Sequence, residues 1–448
     1  MDSRLRQDRF ATGSALALGV VLVFAVLAFA ARERWAESVF QVATLAIGLS
    51  WVARWIIAPY HLRGCALLIP LGATVPWGLM QLALNKSVYR FVTWNAVLSW
   101  STYFVLFLLA LQIFSNRYVT RVFFRGALYF ATGLSVLSTL QYLSSNGKIY
   151  WVFPTPWAAA FGPFVNYDHY AAFVELLLPL VILETIRERR AWTHGAMVGI
   201  LYGSVVATAS RAGAFLATLE ILVLPLMVAH RGWVPGRRLG GKLFMMAVAI
   251  ILCGTAAGWQ RVWARFHSDP FAYRHEMWVS ASHMVRERPW FGFGLGTWET
   301  AYPAYALFDA GAIVNHAHND WAEWAAEGGM PFLLILASTA ALSFRPAIRS
   351  IWGLGPIVVL MHSLVDFPMQ TPAIAGWVFV LLAGAAAREG ANHRDPDTLL
   401  LEFSEPDIEQ DGEIVPAFAG PFRHAGHQVT DVWASLRARK KSYSRILG

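Results

Sequence analysis

The sequence predicts an all-α polytopic membrane protein of about 12 transmembrane helices, with a large helical periplasmic loop between helices 9 and 10. Three observations carry this reading. Of 448 residues, 56% are hydrophobic and 14% are charged, where a soluble domain carries about a quarter charged. The missing charge is concentrated in long ion-free runs, and about 20 apolar residues suffice for one helix to cross a bilayer. Arginine clusters recur at alternate ends of those runs, the pattern of a cytoplasmic face. They account for the net charge of +8, so the basic balance points to membrane orientation rather than to nucleic acid. The two cysteines, Cys65 and Cys253, lie in apolar stretches and make neither a disulfide framework nor a metal knuckle.

The first span, Thr12–Ala31, is long and lacks a small-residue cleavage site, so it reads as a retained helix rather than a signal peptide. Ser38–Ile57, Cys65–Leu84, Ala96–Ser115 and Arg125–Leu143 follow as apolar runs. After an outward loop at about 144–170 come Ala171–Ile186, His194–Ser210, Ala212–Ala229 and Leu243–Gly258. A second outward loop, at about 259–330, precedes Pro331–Phe344, Trp352–Val365 and Pro372–Ala387. The shorter runs suit tilted, broken or protein-buried spans. With this count one side collects Arg4, Arg6 and Arg9, then Arg117, Arg121 and Arg125, then Arg187, Arg189 and Arg190. The same side holds Arg231, Arg237, Arg238 and Lys242, and finally Arg345 and Arg349. That side is expected to be the cytoplasm, with both tails on it. The longer loop is rich in Trp, Phe and Tyr, which favours helices lying on the membrane surface over disorder. Residues 1–387 thus form the transmembrane domain and 388–448 a cytoplasmic tail. The tail is acidic and mobile over Asp395–Glu413 and basic over Val429–Leu447. Val429–Leu447 reads equally as an amphipathic helix on anionic lipid or as a solvated basic tail.

Against this apolar background the polar clusters stand out. "VNHAHNDWAEWAAEGGMPF", Val314 to Phe332, brings His316, His318, Asn319, Asp320 and Glu323 together. Asp320 and Glu323 have the spacing of an N-cap with a reciprocal carboxylate. Gly328 and Gly329 are expected to stop that helix and Pro331 to open the next span. The histidines then sit before a helix start, where the positive end favours a neutral imidazole and a docked anion. A lone histidine there would merely cap, but the grouping favours function. "TASRAGAFL" carries Arg211 at the outer end of a helical hairpin, where it either acts on substrate or reaches for headgroups. "AYRHEMW" carries Arg274 among aromatic residues. "FVNYDHYAAF" adds Asn166, Asp168 and His169 on the same side, and "HSLVDF" adds His362 and Asp366, for which structural hydrogen bonding is expected. The glycines of "PWFGFGLGTWE" imitate a phosphate loop, but no strand–helix unit surrounds them, which excludes a nucleotide fold. "HAHND" imitates a metal motif whose last histidine is replaced by Trp321; zinc on His316, His318, Asp320 and Glu323 ranks below a metal-free site.

These motifs resemble the O-antigen ligase and O-antigen polymerase superfamily, membrane glycosyltransferases that use undecaprenyl-diphosphate-linked glycans. "NYDHYA", "SRAG", "PWFGFGLGTWE" and "HAHND" occur in the order common across it, over roughly Phe161 to Phe367. The ligases' histidine, small polar residue, nine residues and G-x-x-G is matched by His318, Asn319 and Gly329. Phe332 stands where the second glycine is expected. His318 is the favoured base for an acceptor hydroxyl, as the ligase resemblance also implies, and His316 is read from the residues as a positioning partner or as the base itself. Catalysis from a lipid diphosphate requires fixed cations where charge develops on the leaving group. Arg211 and Arg274 are assigned to the diphosphate, since a guanidinium binds phosphate oxygens in pairs. Asn319, Asp320, Asn166 and His169 are expected to support the site. No cofactor or metal is needed, and the transfer inverts the anomeric centre. Expected partners are the lipid-linked donor, membrane lipid, and a glycan, lipid A–core or protein acceptor, in a bacterial inner membrane with the site periplasmic. A lipid-linked-oligosaccharide transporter or flippase is the alternative. It is disfavoured because the polar residues cluster at one face rather than at the midplane.

Overall fold

The computed structural model describes residues 2–155, 160–187, 191–230, 236–267, 274–309, 311 and 313–392. Outside them fall Arg189, Arg190, Arg231, the first residues of "AYRHEMW", and the tail from residue 393 with its acidic and basic segments. The chain begins with α1 (Asp2–Leu27), α2 (Arg34–Ile57), α3 (Leu68–Ala83), α4 (Arg90–Ile113) and α5 (Arg117–Ser144). In the first expected loop a two-residue antiparallel hairpin forms from β1 (Lys148–Ile149) and β2 (Phe153–Pro154), a local departure from an all-helical chain. Then come α6 (Tyr167–Arg187), α7 (Ala191–Thr208), α8 (Arg211–His230) and α9 (Gly236–Ala257). The second expected loop holds α10 (Trp259–Phe266), α11 (Arg274–Glu287) and the single turn α12 (Trp298–Ala301). The chain closes with α13 (Asp320–Arg349), α14 (Leu354–His362) and α15 (Pro372–Asn392).

All twelve predicted apolar runs overlap helices. Eight of the described helices, α1, α2, α4, α5, α6, α8, α9 and α13, are long and apolar enough to cross a bilayer. Leu68–Ala83, Ile351–His362 and Pro372–Arg388 are apolar but shorter. Length and composition therefore establish a multi-pass membrane protein without fixing the count of crossings. Two of the short helices are shielded by protein. α15 is buried along its whole described face and packs on α4, α13 and α1, while α14 packs on α6. α6 is itself enclosed, with α7, α8, α14 and α5 around it.

Small residues set the closest approach. Gly195, Gly199 and Gly203 recur every fourth residue on α7 and face Met245, Ala249 and Cys253 of α9. A Cβ at Gly199 would lie 2.8 Å from the Ala249 carbonyl oxygen. This small-residue ridge lets backbones meet where no hydrophobic drive separates helix from lipid. α13 is broken where the paired glycines predict. Gly329 has φ +70° and ψ 178°, so the helix of Asp320–Gly328 ends there and a second begins at Met330 and Pro331.

Candidate active site

The helix containing Trp321 and Trp324 is capped one residue earlier than the sequence suggests. The Asn319 side-chain oxygen accepts from the Ala322 amide at 3.0 Å, so Asn319, not Asp320, is the N-cap. Asp320 is instead buried in the first turn, where its carboxyl group accepts from the Met369 amide at 3.0 Å and its own amide donates to the Ser363 carbonyl. The reciprocal carboxylate is diverted as well. Glu323 accepts from the Ala317 amide at 2.7 Å and from His316 Nδ1 at 2.8 Å. Tertiary partners displaced the local capping box.

His318 precedes this cap with φ +50°, a left-handed conformation that costs a non-glycine residue about 1 kcal/mol or more. Its Nδ1 lies 3.0 Å from Asp366 Oδ1. Asp366, in the turn after α14, also accepts from the Phe367 amide at 2.9 Å and stands 3.7 Å from Arg274 Nη2. Burial raises the Asp366 carboxyl, but the hydrogen bond and charge of His318, with Arg274 and His169, outweigh it. The carboxyl is held well below its ordinary 3.8 and is ionised. Asp366 therefore takes the Nδ1 proton of His318 as an acceptor. That leaves Nε2, which no described group bonds, as the basic nitrogen of a side chain 29% exposed.

Cations gather on the other side of Asp366. Arg274, at the start of α11, donates from Nη1 to the Val365 carbonyl at 2.7 Å and lies 3.8 Å from Asp168. Asp168 is held in the first turn of α6, where its amide donates to Asn166 Oδ1 at 2.8 Å and its carboxylate is bonded by Ser210. Ser210 also caps α8, accepting from the Gly213 amide at 3.1 Å. Arg211, the first residue of α8, donates to the Arg265 carbonyl at 3.3 Å and is within electrostatic range of Arg274, Arg265 and Asp168. Arg265 of α10 donates to the Tyr167 hydroxyl at 2.6 Å, with its guanidinium over that ring. Gly213 is required by packing, because a Cβ there would sit 2.5 Å from that of Ala171 on α6.

Phe367 is the hub of the imidazoles. His316 stacks on its ring at 4.3 Å, and His318 and His169 meet it edge-on at 4.8 and 4.6 Å. Burial, then the charges of Arg32 and His318, hold His316 well below its ordinary 6.5, so it is neutral at pH 7. The neutral tautomer that suits its partners donates from Nδ1 to Glu323 and accepts at Nε2 from Arg32, 3.4 Å away. Both ring nitrogens are engaged, which fits a positioning group better than a base. His169 bonds Thr371 at 3.0 Å, and His362 bonds Glu175 at 2.9 Å. The histidines and acids of "HAHND" diverge onto separate partners. Among the described residues no group of three or more His, Cys, Asp or Glu is arranged to hold a metal ion.

The glycine loop does cradle a carboxyl group, and it is the protein's own. Glu327 accepts from the Gly296 and Trp298 amides at 2.9 and 2.8 Å. Gln81 on α3, fully buried, bonds the carbonyls of Phe291 and Glu327 at 2.6 and 2.9 Å and the Leu295 amide at 3.1 Å. Residues 291–297 are thereby stapled to α3 and to the break in α13. Gly292 permits this approach, since a Cβ there would lie 2.3 Å from the Glu327 carbonyl oxygen.

The structure thus brings together His318, His316, Arg274, Asn319, Asp320, Asn166 and His169, drawn from both expected loops, with Arg211 from the start of α8, just after the turn from α7. It adds Asp366, Asp168, Arg265 and Arg32, to which sequence reasoning gave no role in the chemistry. Arg265 sits in an ordinary-looking basic segment, "RVWARF", and carries no signal. Arg32 is delivered by a turn, Phe29–Ala31, whose three residues all have φ near +55°. The family model described as O-Antigen ligase matches residues 195–337, the stretch that contains Arg211, Arg265, Arg274, His316 and His318. The likeness to the O-antigen ligase and polymerase superfamily read from the motifs holds for this stretch, and it supports a membrane enzyme of ligase or glycosyltransferase type. A comparison with curated proteins finds no match.

Proposed function

We propose that the protein transfers a glycan from an undecaprenyl-diphosphate carrier to an acceptor hydroxyl, without a metal ion and with inversion. The observation that carries this is the continuous chain His318–Asp366–Arg274, at 3.0 and 3.7 Å. It puts a base and a fixed cation on the two sides of one buried carboxylate. The acceptor hydroxyl gives its proton to His318 Nε2 while its oxygen forms a bond to the anomeric carbon. On the opposite face the bond from that carbon to the diphosphate oxygen breaks, and the lipid diphosphate leaves with the electron pair. Asp366 steadies the imidazolium that forms, which is worth most in a water-poor site. Arg274 and Arg211, with Arg265 behind them, meet the charge gained by the leaving group. Because guanidinium groups supply that charge, a divalent ion has no required task.

The same reading takes all twelve apolar runs as crossings, with both tails in the cytoplasm and the site at the periplasmic face of the inner membrane. The transfer is of the O-antigen ligase or polymerase type, and the acceptor hydroxyl belongs to a polymer chain, lipid A–core or protein. The test uses purified full-length protein with lipid-linked glycan in excess chelator. Transfer continues, and His318→Ala folds but loses transfer by about 10²–10⁴-fold, the usual worth of a general base. Activity that vanishes with chelator and returns with a divalent ion overturns the metal-independent step.

A further inference from the structure

On the far side of His316 from the arginine cluster lies a cavity of about 260 Å³, between α2, α4, the glycine loop and the turn before α15. Arg32 belongs to both places, bonding His316 Nε2 and lining the cavity wall. His316 and His318 share the Phe367 ring, so a chain of contacts through Arg32, His316 and Phe367 joins the cavity wall to His318. Its lining is unlike a lipid groove. Asn95, Ser99, Glu37 and Gln370 supply hydrogen-bonding groups, and Trp100 supplies an aromatic wall. Ser99 donates to Glu37 at 2.7 Å, and Gln41 holds the same carboxylate oxygen at 3.1 Å. The Gln370 side-chain nitrogen is buried with no hydrogen-bond partner among the described residues, a donor awaiting an acceptor.

We propose that this cavity is a sugar subsite, taking one hydroxyl-rich ring of the glycans being joined. Amides, a hydroxyl and a carboxyl group spaced around an aromatic wall match the alternating hydroxyls and the apolar face of a pyranose. Arg32 is the one basic residue among the described lining residues and already bonds His316, which leaves no pair of guanidinium groups for a diphosphate, and the polar lining disfavours an acyl chain. Such a ring belongs either to the acceptor or to the donor glycan, and the cavity chemistry is the same for both. The inference rests on the transfer reading above for its neighbouring chemistry, but not on which histidine is the base.

The test is steady-state kinetics of the full-length protein in detergent. Lipid-linked glycan and acceptor are isolated from cells lacking the gene, and each is varied at saturating levels of the other. Asn95→Ala removes one polar contact and raises KM for one substrate about five-fold, the usual worth of a hydrogen bond to a neutral group. Ser99→Met fills the space and raises the same KM about ten-fold or more, with kcat at saturation changing about two-fold. A rise confined to acceptor KM assigns the ring to the acceptor, and a rise confined to donor KM assigns it to the donor. KM unchanged for both substrates in folded Asn95→Ala protein overturns the subsite. His318→Ala is assayed alongside. If it stays active the base assignment fails while the KM result still stands, so the two failures are separable.

Discussion

Asp366→Asn tests the catalytic geometry most directly. The substitution keeps shape and volume but removes the charge that joins His318 to Arg274. In the wild type this carboxylate accepts from His318 Nδ1 at 3.0 Å and from the Phe367 amide at 2.9 Å, and its side chain is about 1% exposed. A hydrogen bond to a charged group in such a setting is worth about 1.5–3 kcal/mol. The larger effect is on the transition state, where His318 gains a proton beside a partner that can no longer neutralise it. An amide also allows the wrong tautomer, which costs about 10⁴ in a comparable dyad. The expected loss in kcat is about 10²–10⁴-fold with KM for the donor changed little. Fold is preserved, since Arg274 keeps Asp168 at 3.8 Å and the Val365 carbonyl. Thermal unfolding against pH supplies an independent readout. The folded Asp366 carboxyl lies below the unfolded 3.8, so its stabilisation is complete above 3.8 and lost as pH falls through the folded value. Asp366→Asn lacks that contribution and shows a shallower acid decline. Transfer within about three-fold of wild type in folded Asp366→Asn would refute the reasoning.

His316 is held below 6.5, so its stabilisation is present above 6.5 and lost as pH falls through the folded value. Wild-type Tm is expected to fall on acidification from pH 7 to 5 more steeply than that of His316→Asn, and parallel slopes would show the assignment to be wrong. Gln81→Leu strands two carbonyls and one amide in the interior and is expected to destabilise by about 2–4 kcal/mol, measured by thermal unfolding in detergent. Gly329→Ala requires φ +70° of an alanine and brings its Cβ to 2.5 Å from the Trp290 carbonyl oxygen. It is expected to cost about 2 kcal/mol or more and to lower activity by shifting the helix that carries Glu323.

The sequence by itself determined the parts of this protein that are set by local chemistry. Runs of apolar residues became helices because each backbone group in lipid must bond within its own segment. The paired glycines at 328–329 broke α13 where they were expected to, because a left-handed φ is a local property. His316, His318, Arg211 and Arg274 were legible because charge and imidazole are scarce in an apolar chain. Tertiary structure alone decided which of these groups meet. Asn319 took the cap because Asp320 found Met369 and Glu323 found His316, partners remote or oriented by the fold. Asp366 looked like a structural acid until the turn after α14 set it between His318 and Arg274. Arg265 and Arg32 carried no signal, since an arginine in a basic or juxtamembrane segment is the expected background. Hydrogen-bond partners distant along the chain are fixed by how helices pack, and packing depends on all of them at once.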